Sequence, residues 1–76
     1  MDLRQVFGAN LRRLRHERGL SQEDLAYTAD VNRTYLSKLE KGVSYVGLEI
    51  IGKLADVLEV EPAALLRLPH GRGRKR

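Results

Sequence analysis

Residues 20–42 read LSQEDLAYTADVNRTYLSKLEKG, and the fold is decided in this stretch. Ser21 offers a hydroxyl where a helix N-cap needs one, and Asp24 stands three residues on, at the acid position of a capping box. Leu25 and Ala26 supply the inward face of a short helix of about two turns. Ala29-Asp30-Val31 breaks that helix, with Asp30 at the place of a left-handed residue, a conformation Gly adopts freely and Asp less so. Asn32 then caps a second helix, which runs to Lys41 and stops at Gly42, the residue type preferred just past a helix end. Two helices joined by a turn of about three to four residues form a helix-turn-helix unit.

The second helix divides cleanly into two faces. At about 100° per residue, Leu36 and Leu39 share one side with Val31 just before the helix. Arg33, Ser37 and Lys41 fall on the other, with Thr34 and Lys38 beside them. No acid interrupts that polar face until Glu40, near its end. Arg, Thr, Ser and Lys offer the groups that guanine edges, thymine methyls and phosphates bind. A solvated amphipathic helix is the plain alternative, but turn and cap signals at this spacing favour a helix that lies in a DNA major groove.

The segment resembles the helix-turn-helix of the XRE family of transcriptional regulators, the phage Cro and repressor type. Ser21-Gln22-Glu23, Leu25-Ala26, Val31, Ser37 and Glu40-Lys41-Gly42 carry the resemblance, which extends over residues 11–66. Residues 22–27 together with Arg33-Thr34-Tyr35 are further similar to the small controller proteins of restriction–modification systems. The resemblance implies an all-α, five-helix, lambda-repressor-like domain over residues 1–68, with double-stranded DNA as its partner. Arg33, Thr34, Ser37 and Lys38 are then the expected base readers. Gln22, Arg12, Tyr35, Lys41, Ser44 and Tyr45 are the expected phosphate contacts, Ser44 and Tyr45 being otherwise ordinary loop residues. By family position Arg15 pairs with Glu40, a structural ion pair joining the first helix to the recognition helix. Departures follow Gly42: Val46 stands where many members have Pro, and Gly47 where they have a Ser or Thr cap.

Composition agrees in outline. Seventy-six residues allow one domain, which buries roughly 60% of its extended surface and gains from a dimer contact. There is no cysteine, so a disulfide framework and a thiolate metal site are excluded. The net charge of +4 equals the charge of the four basic residues in the tail, leaving residues 1–71 neutral. Within them, residues 1–41 carry +2 and residues 42–71 carry −2, as suits one face on DNA and another turned away. No apolar run approaches the ~18 residues of a membrane span, and MDLRQVFGAN lacks the apolar region of an export signal, so a cytoplasmic protein without a membrane partner is expected.

Around the central unit, Leu3, Val6, Phe7, Leu11 and Leu14 recur at helical spacing, predicting a first helix over residues 3–18 that ends at Gly19. Arg18 reads as a solvated side chain. Leu48, Ile51, Leu54, Ala55 and Leu58 predict a fourth helix over residues 48–58. Glu61-Pro62 starts a fifth, ending near Leu66, with Pro at a permitted first-turn position. Ile50, Val57, Leu65 and Leu68 are surplus apolar residues: they either cover the core or form a homodimer interface. Residues 69–76, PHGRGRKR, predict a disordered basic tail, either a phosphate-touching arm or a solubilising extension.

Catalysis finds no footing. His16 and His70 are isolated, no carboxylates stand at metal-ligand spacing and no Gly-rich phosphate loop is present. No cofactor, metal or small-molecule ligand is expected. The function implied is a sequence-specific regulator that binds a palindromic operator as a homodimer. An antitoxin that also binds a toxin, or a protein-interaction adaptor on the same fold, are the alternatives.

Overall fold

The structure is a computed structural model that describes residues 1–68; the tail expectation falls outside the described residues. Among the described residues four α-helices follow one another, α1 (Leu3–Glu17), α2 (Gln22–Ala29), α3 (Arg33–Lys41) and α4 (Leu48–Leu58), and a 3₁₀ turn (Pro62–Leu66) comes after them. The expected fifth α-helix is this 3₁₀ turn. Five residues opened by a proline are too few to recover the cost of nucleating an α-helix. The tighter i→i+3 pattern appears instead, with the Ala64 N–H donating to the Glu61 carbonyl at 2.9 Å.

All four helices end in the same way. Gly19, Asp30, Gly42 and Glu59 take left-handed φ angles of 69°, 59°, 75° and 57°. In each case the next residue's N–H bonds a carbonyl five residues back: Leu20 to Arg15, Val31 to Ala26, Val43 to Lys38 and Val60 to Ala55. This is the Schellman arrangement, and the apolar residue after the left-handed one is part of it. Leu20, Val31 and Val60 fold back against the core. The starts are capped less evenly. Asp2 accepts from the Arg4 N–H, Ser21 and Asp24 form a complete capping box, and Asn32 accepts from the Tyr35 N–H, whereas Gly47 before α4 provides no side-chain cap.

The core is one cluster built on Phe7, Leu11, Leu25, Leu36, Leu39, Leu54, Leu58 and Leu65, all essentially inaccessible to solvent. α1 packs on α3 and on the 3₁₀ turn, α2 on α3 and α4, and α4 on the 3₁₀ turn. Two leucines expected in the core are outside it: Leu3 is 54% exposed and Leu48 85%. Each is the first residue of its helix. Helical side chains lean toward the N-terminus, which at the first position carries them past the end of the packed layer.

Two polar or small residues in the α1 stripe do work that the hydrophobic pattern does not reveal. Asn10 is buried, and its amide donates to the carbonyls of Leu65 (2.9 Å) and Arg67 (2.8 Å), holding the 3₁₀ turn against α1. Gly8 lets α1 lie directly on the end of α3. A Cβ there would overlap the Leu39 carbonyl oxygen and come within 2.8 Å of that of Glu40. Arg18, expected to be solvated, donates to the Leu58 carbonyl at 3.0 Å and to Glu59 at 3.1 Å. It thus satisfies a carbonyl that the end of α4 leaves without a helical partner.

The close approach at Gly8 predicts that Gly8→Ala forces α1 and α3 apart. Overpacking of this kind costs about 1–3 kcal/mol, against the usual gain from replacing a helical glycine by alanine. Urea unfolding is the check: a Gly8→Ala midpoint above the parent's would show that the helices are not in contact there.

Candidate nucleic-acid interface

The outward face of α3 is set by what holds its inward face. Leu36 and Leu39 are buried, which turns Arg33, Thr34, Lys38 and Lys41 to solvent and leaves Ser37 half-exposed. A shallow depression between α2 and α3 is lined by Gln22, Arg33, Thr34, Ser37, Lys38 and Lys41. All four expected base readers therefore meet on one surface, with two of the expected phosphate contacts on its edge. A second depression adjoins it, lined by Arg12, Arg15, Gln22, Ser37, Glu40 and Lys41, so Arg12 of α1 joins the same side of the molecule.

The remaining expected phosphate contacts lie elsewhere. The Tyr35 hydroxyl donates to the Tyr45 carbonyl at 2.8 Å, which uses its proton to hold the loop after α3. The Tyr45 ring is exposed and stacks under the Arg4 guanidinium, 4.9 Å from ring centre to carbon. It borders an apolar groove with Met1, Leu3, Val46 and Leu66, and Ser44 is half-buried beside it in the chain. The expected phosphate set thus divides between a cluster at Gln22, Arg12 and Lys41 and a loop around Tyr35, Ser44 and Tyr45.

Behind the α3 face is a buried ion pair. The Arg15 guanidinium clamps the Glu40 carboxylate through Nε to Oε2 at 2.6 Å and Nη2 to Oε1 at 3.0 Å. Its third edge donates to the Leu20 carbonyl at 2.8 Å. The two side chains are only 9% and 4% exposed. Glu40 Oε1 also accepts from the Gln22 amide at 3.0 Å. The carboxylate therefore joins α1, the start of α2 and the end of α3, with three donors around it. Burial pushes the Glu40 carboxyl upward, but the hydrogen bonds from Arg15 and Gln22 and the Arg15 charge outweigh it and hold it below its ordinary value. The bond to Glu40 in turn raises Arg15, against the cost of burial.

Sequence comparison agrees with this geometry. The family model described as a helix-turn-helix domain matches residues 6–68. The chain belongs to this helix-turn-helix family. Control protein C.BamHI of Bacillus amyloliquefaciens is 39% identical over 66 residues, 86% of this chain and 82% of that protein. The crystal structure of the restriction–modification controller protein C.AhdI from Aeromonas hydrophila superposes with a TM-score of 0.79 at 44% identity, covering 82% of this chain and 94% of that one. SinR, a master regulator for biofilm formation solved in complex with DNA, superposes with a TM-score of 0.78 at 31% identity, over 80% of this chain and 98% of that one.

Of the dimer residues expected from sequence, Leu65 is excluded. It has no exposed surface, because the 3₁₀ turn directs it into the core beneath α1 and α4. Ile50 and Val57 are half-buried along one flank of α4, and Leu68 is 45% exposed. Among the described residues no group of His, Cys, Asp and Glu could hold a metal ion, and no helix is long and apolar enough to cross a membrane.

The ion pair has a pH signature. Glu40 is held below its ordinary value, so the stability it contributes is complete above about pH 4.5 and is lost as pH falls through the lowered value. Removing Arg15 or Glu40 alone strands a buried charge and should cost about 3 kcal/mol. The double substitution Arg15→Met, Glu40→Leu should restore much of that loss and flatten the acid limb. Urea titrations at pH 7 and pH 4 measure both effects, and single variants as stable as the parent would mean that the pair carries no weight.

Proposed function

We propose that this chain is a sequence-specific DNA-binding transcriptional regulator that acts in the cytoplasm and places α3 in the major groove of a palindromic operator as a homodimer. The observation that carries the reading is the single surface formed by Gln22, Arg33, Thr34, Ser37, Lys38 and Lys41. Among the described residues its basic side chains, Arg33, Lys38 and Lys41, have no carboxylate partner, since the one acid in α3 is turned inward onto Arg15 and Gln22. A face built to meet a protein would more often carry aromatic anchors. The similarity to control proteins and to a regulator solved with DNA supports the same reading.

In this account Arg33 at the start of α3 makes a bidentate contact with a guanine, the geometry its planar fork suits best. Thr34, Ser37 and Lys38 read neighbouring positions. Gln22, Arg12 and Lys41 hold phosphates beside them, while Ser44 and Tyr45, in the loop that the Tyr35 hydroxyl holds, offer a second set of phosphate contacts. A single module of this size reads too few base pairs to locate one site in a genome. A two-fold dimer sets two recognition helices about 34 Å apart, one turn of DNA. The half-buried flank of α4 with Ile50 and Val57, together with Leu68, is the contact assigned to that dimer. It lies in the half of the chain with the acidic excess, which keeps it off the phosphates.

Arg33→Ala should weaken operator binding by about 1–3 kcal/mol and relax the preference at one base pair. Equal losses on operator and random duplex, measured by fluorescence anisotropy, would make Arg33 a phosphate contact instead. Ile50→Glu combined with Val57→Glu should give a folded monomer by sedimentation that binds a palindrome weakly. A dimer unchanged by both substitutions would move the interface elsewhere on the molecule.

A further inference from the structure

The Arg15–Glu40 pair accounts for only part of the hydrogen bonding at the Glu40 carboxylate. Oε1 receives two donors, Arg15 Nη2 and Gln22 Nε2, each at 3.0 Å. Gln22 opens α2 and lines both depressions on the α3 side, where they share Ser37 and Lys41 as well. It is half-buried, with the carboxylate on its inner side.

We infer that Glu40 is a positioning residue for DNA binding, acting through Gln22 as well as through the Arg15 clamp. This rests on the regulatory reading above and adds to it a residue that touches no DNA. A glutamine amide has two N–H groups and a carbonyl, and in water it rotates freely among several orientations. The carboxylate accepts only, so it selects the orientation in which nitrogen faces inward. One N–H is then bound to Glu40, and the second is left to donate outward to a phosphate oxygen. The charge on Glu40 also strengthens the amide bond it accepts. Fixing the side chain before DNA arrives removes an ordering cost that a free glutamine would meet on binding. Because Glu40 is held ionised by Arg15 across the neutral range, this orientation does not change near pH 7.

A purely structural Glu40 would change stability and leave the contribution of Gln22 to DNA binding untouched, so the two roles separate. The backgrounds are R15M/E40Q, which loses the ion pair but keeps an acceptor facing Gln22, and R15M/E40L, which loses both. R15M/E40M, closer to glutamate in shape, is a second apolar variant. Each is made with and without Q22A, checked for parental helicity by circular dichroism, and titrated with an operator duplex by anisotropy. A hydrogen bond to a charged phosphate corresponds to about tenfold in affinity, so Q22A should weaken the parent and R15M/E40Q about tenfold. In R15M/E40L and R15M/E40M, already weakened to that extent, Q22A should have less than about a twofold further effect. The Gln22 side-chain amide resonances should likewise be shifted in the parent and R15M/E40Q and take exposed-glutamine values in the apolar variants. A full tenfold effect of Q22A in the apolar backgrounds overturns the inference. So does a parental affinity unaffected by Q22A while R33A weakens it, which leaves the DNA reading standing. Specific binding unaffected by either substitution would overturn both.

Discussion

A guanidinium and a carboxylate meet almost out of water between α1 and α3, and the placement of the polar face of α3 depends on that meeting. The helix is nine residues long, too short to hold its shape alone, and one of its sides must stay bare for a partner. Its orientation therefore comes from behind. Leu36 and Leu39 supply the adhesion, which is not directional, and the two-pronged contact from Arg15 to Glu40 supplies the direction. A buried pair is a weak source of net stability but a strong constraint, because any other arrangement strands a charge. The absence of a Cβ at Gly8 allows the helices to approach closely enough for the pair to form.

The helices were legible where their signals are local. Ser21, Asn32, Gly19 and Gly42 mark ends through their own chemistry, and Asp30 could be placed because the helix-turn-helix spacing requires a left-handed residue there. Glu59 takes the same conformation without any such mark on its own. A more general signal runs through all four ends: a residue in the left-handed position is followed by Leu20, Val31, Val43 or Val60, the apolar partner of the Schellman turn. Periodicity alone ended α4 at Leu58, as observed, and that pair supplies the physical reason the helix stops there. Periodicity overreached at Leu3 and Leu48, since it treats every turn as flanked by neighbours and the first turn is not. It overreached again after Pro62, where the apolar residues continue but the segment is too short for an α-helix.

For the site, the sequence carried the exposed face and, by family position, the Arg15–Glu40 pair behind it, but not the longer-range bonds around them. Arg33, Thr34, Ser37 and Lys38 follow from helical geometry once Leu36 and Leu39 are known to face inward. The bond from Gln22 to Glu40, the bond from Tyr35 to the Tyr45 carbonyl and the clamp of Asn10 on the 3₁₀ turn join residues 18, 10 and at least 55 positions apart. Such contacts depend on how helices cross, which no local pattern encodes. Asn10 did leave a trace, as a polar residue three positions after Phe7 inside an apolar stripe. Leu65, which periodicity left between core cover and a partner contact, is settled by the 3₁₀ turn, which brings it into the protein's own core.

In the proposed function, a face held rigid from behind by Arg15 and Glu40 reads base edges, twice, across a two-fold axis. Selection of binding sites from a pool of random duplex DNA tests this most directly, because it presupposes neither the operator nor the contacting residues. The expected result is enrichment of an inverted repeat whose half-sites are centred about 10 base pairs apart, one helical turn. A pool that gains no shared sequence through successive rounds, with retention governed by salt alone, would contradict it.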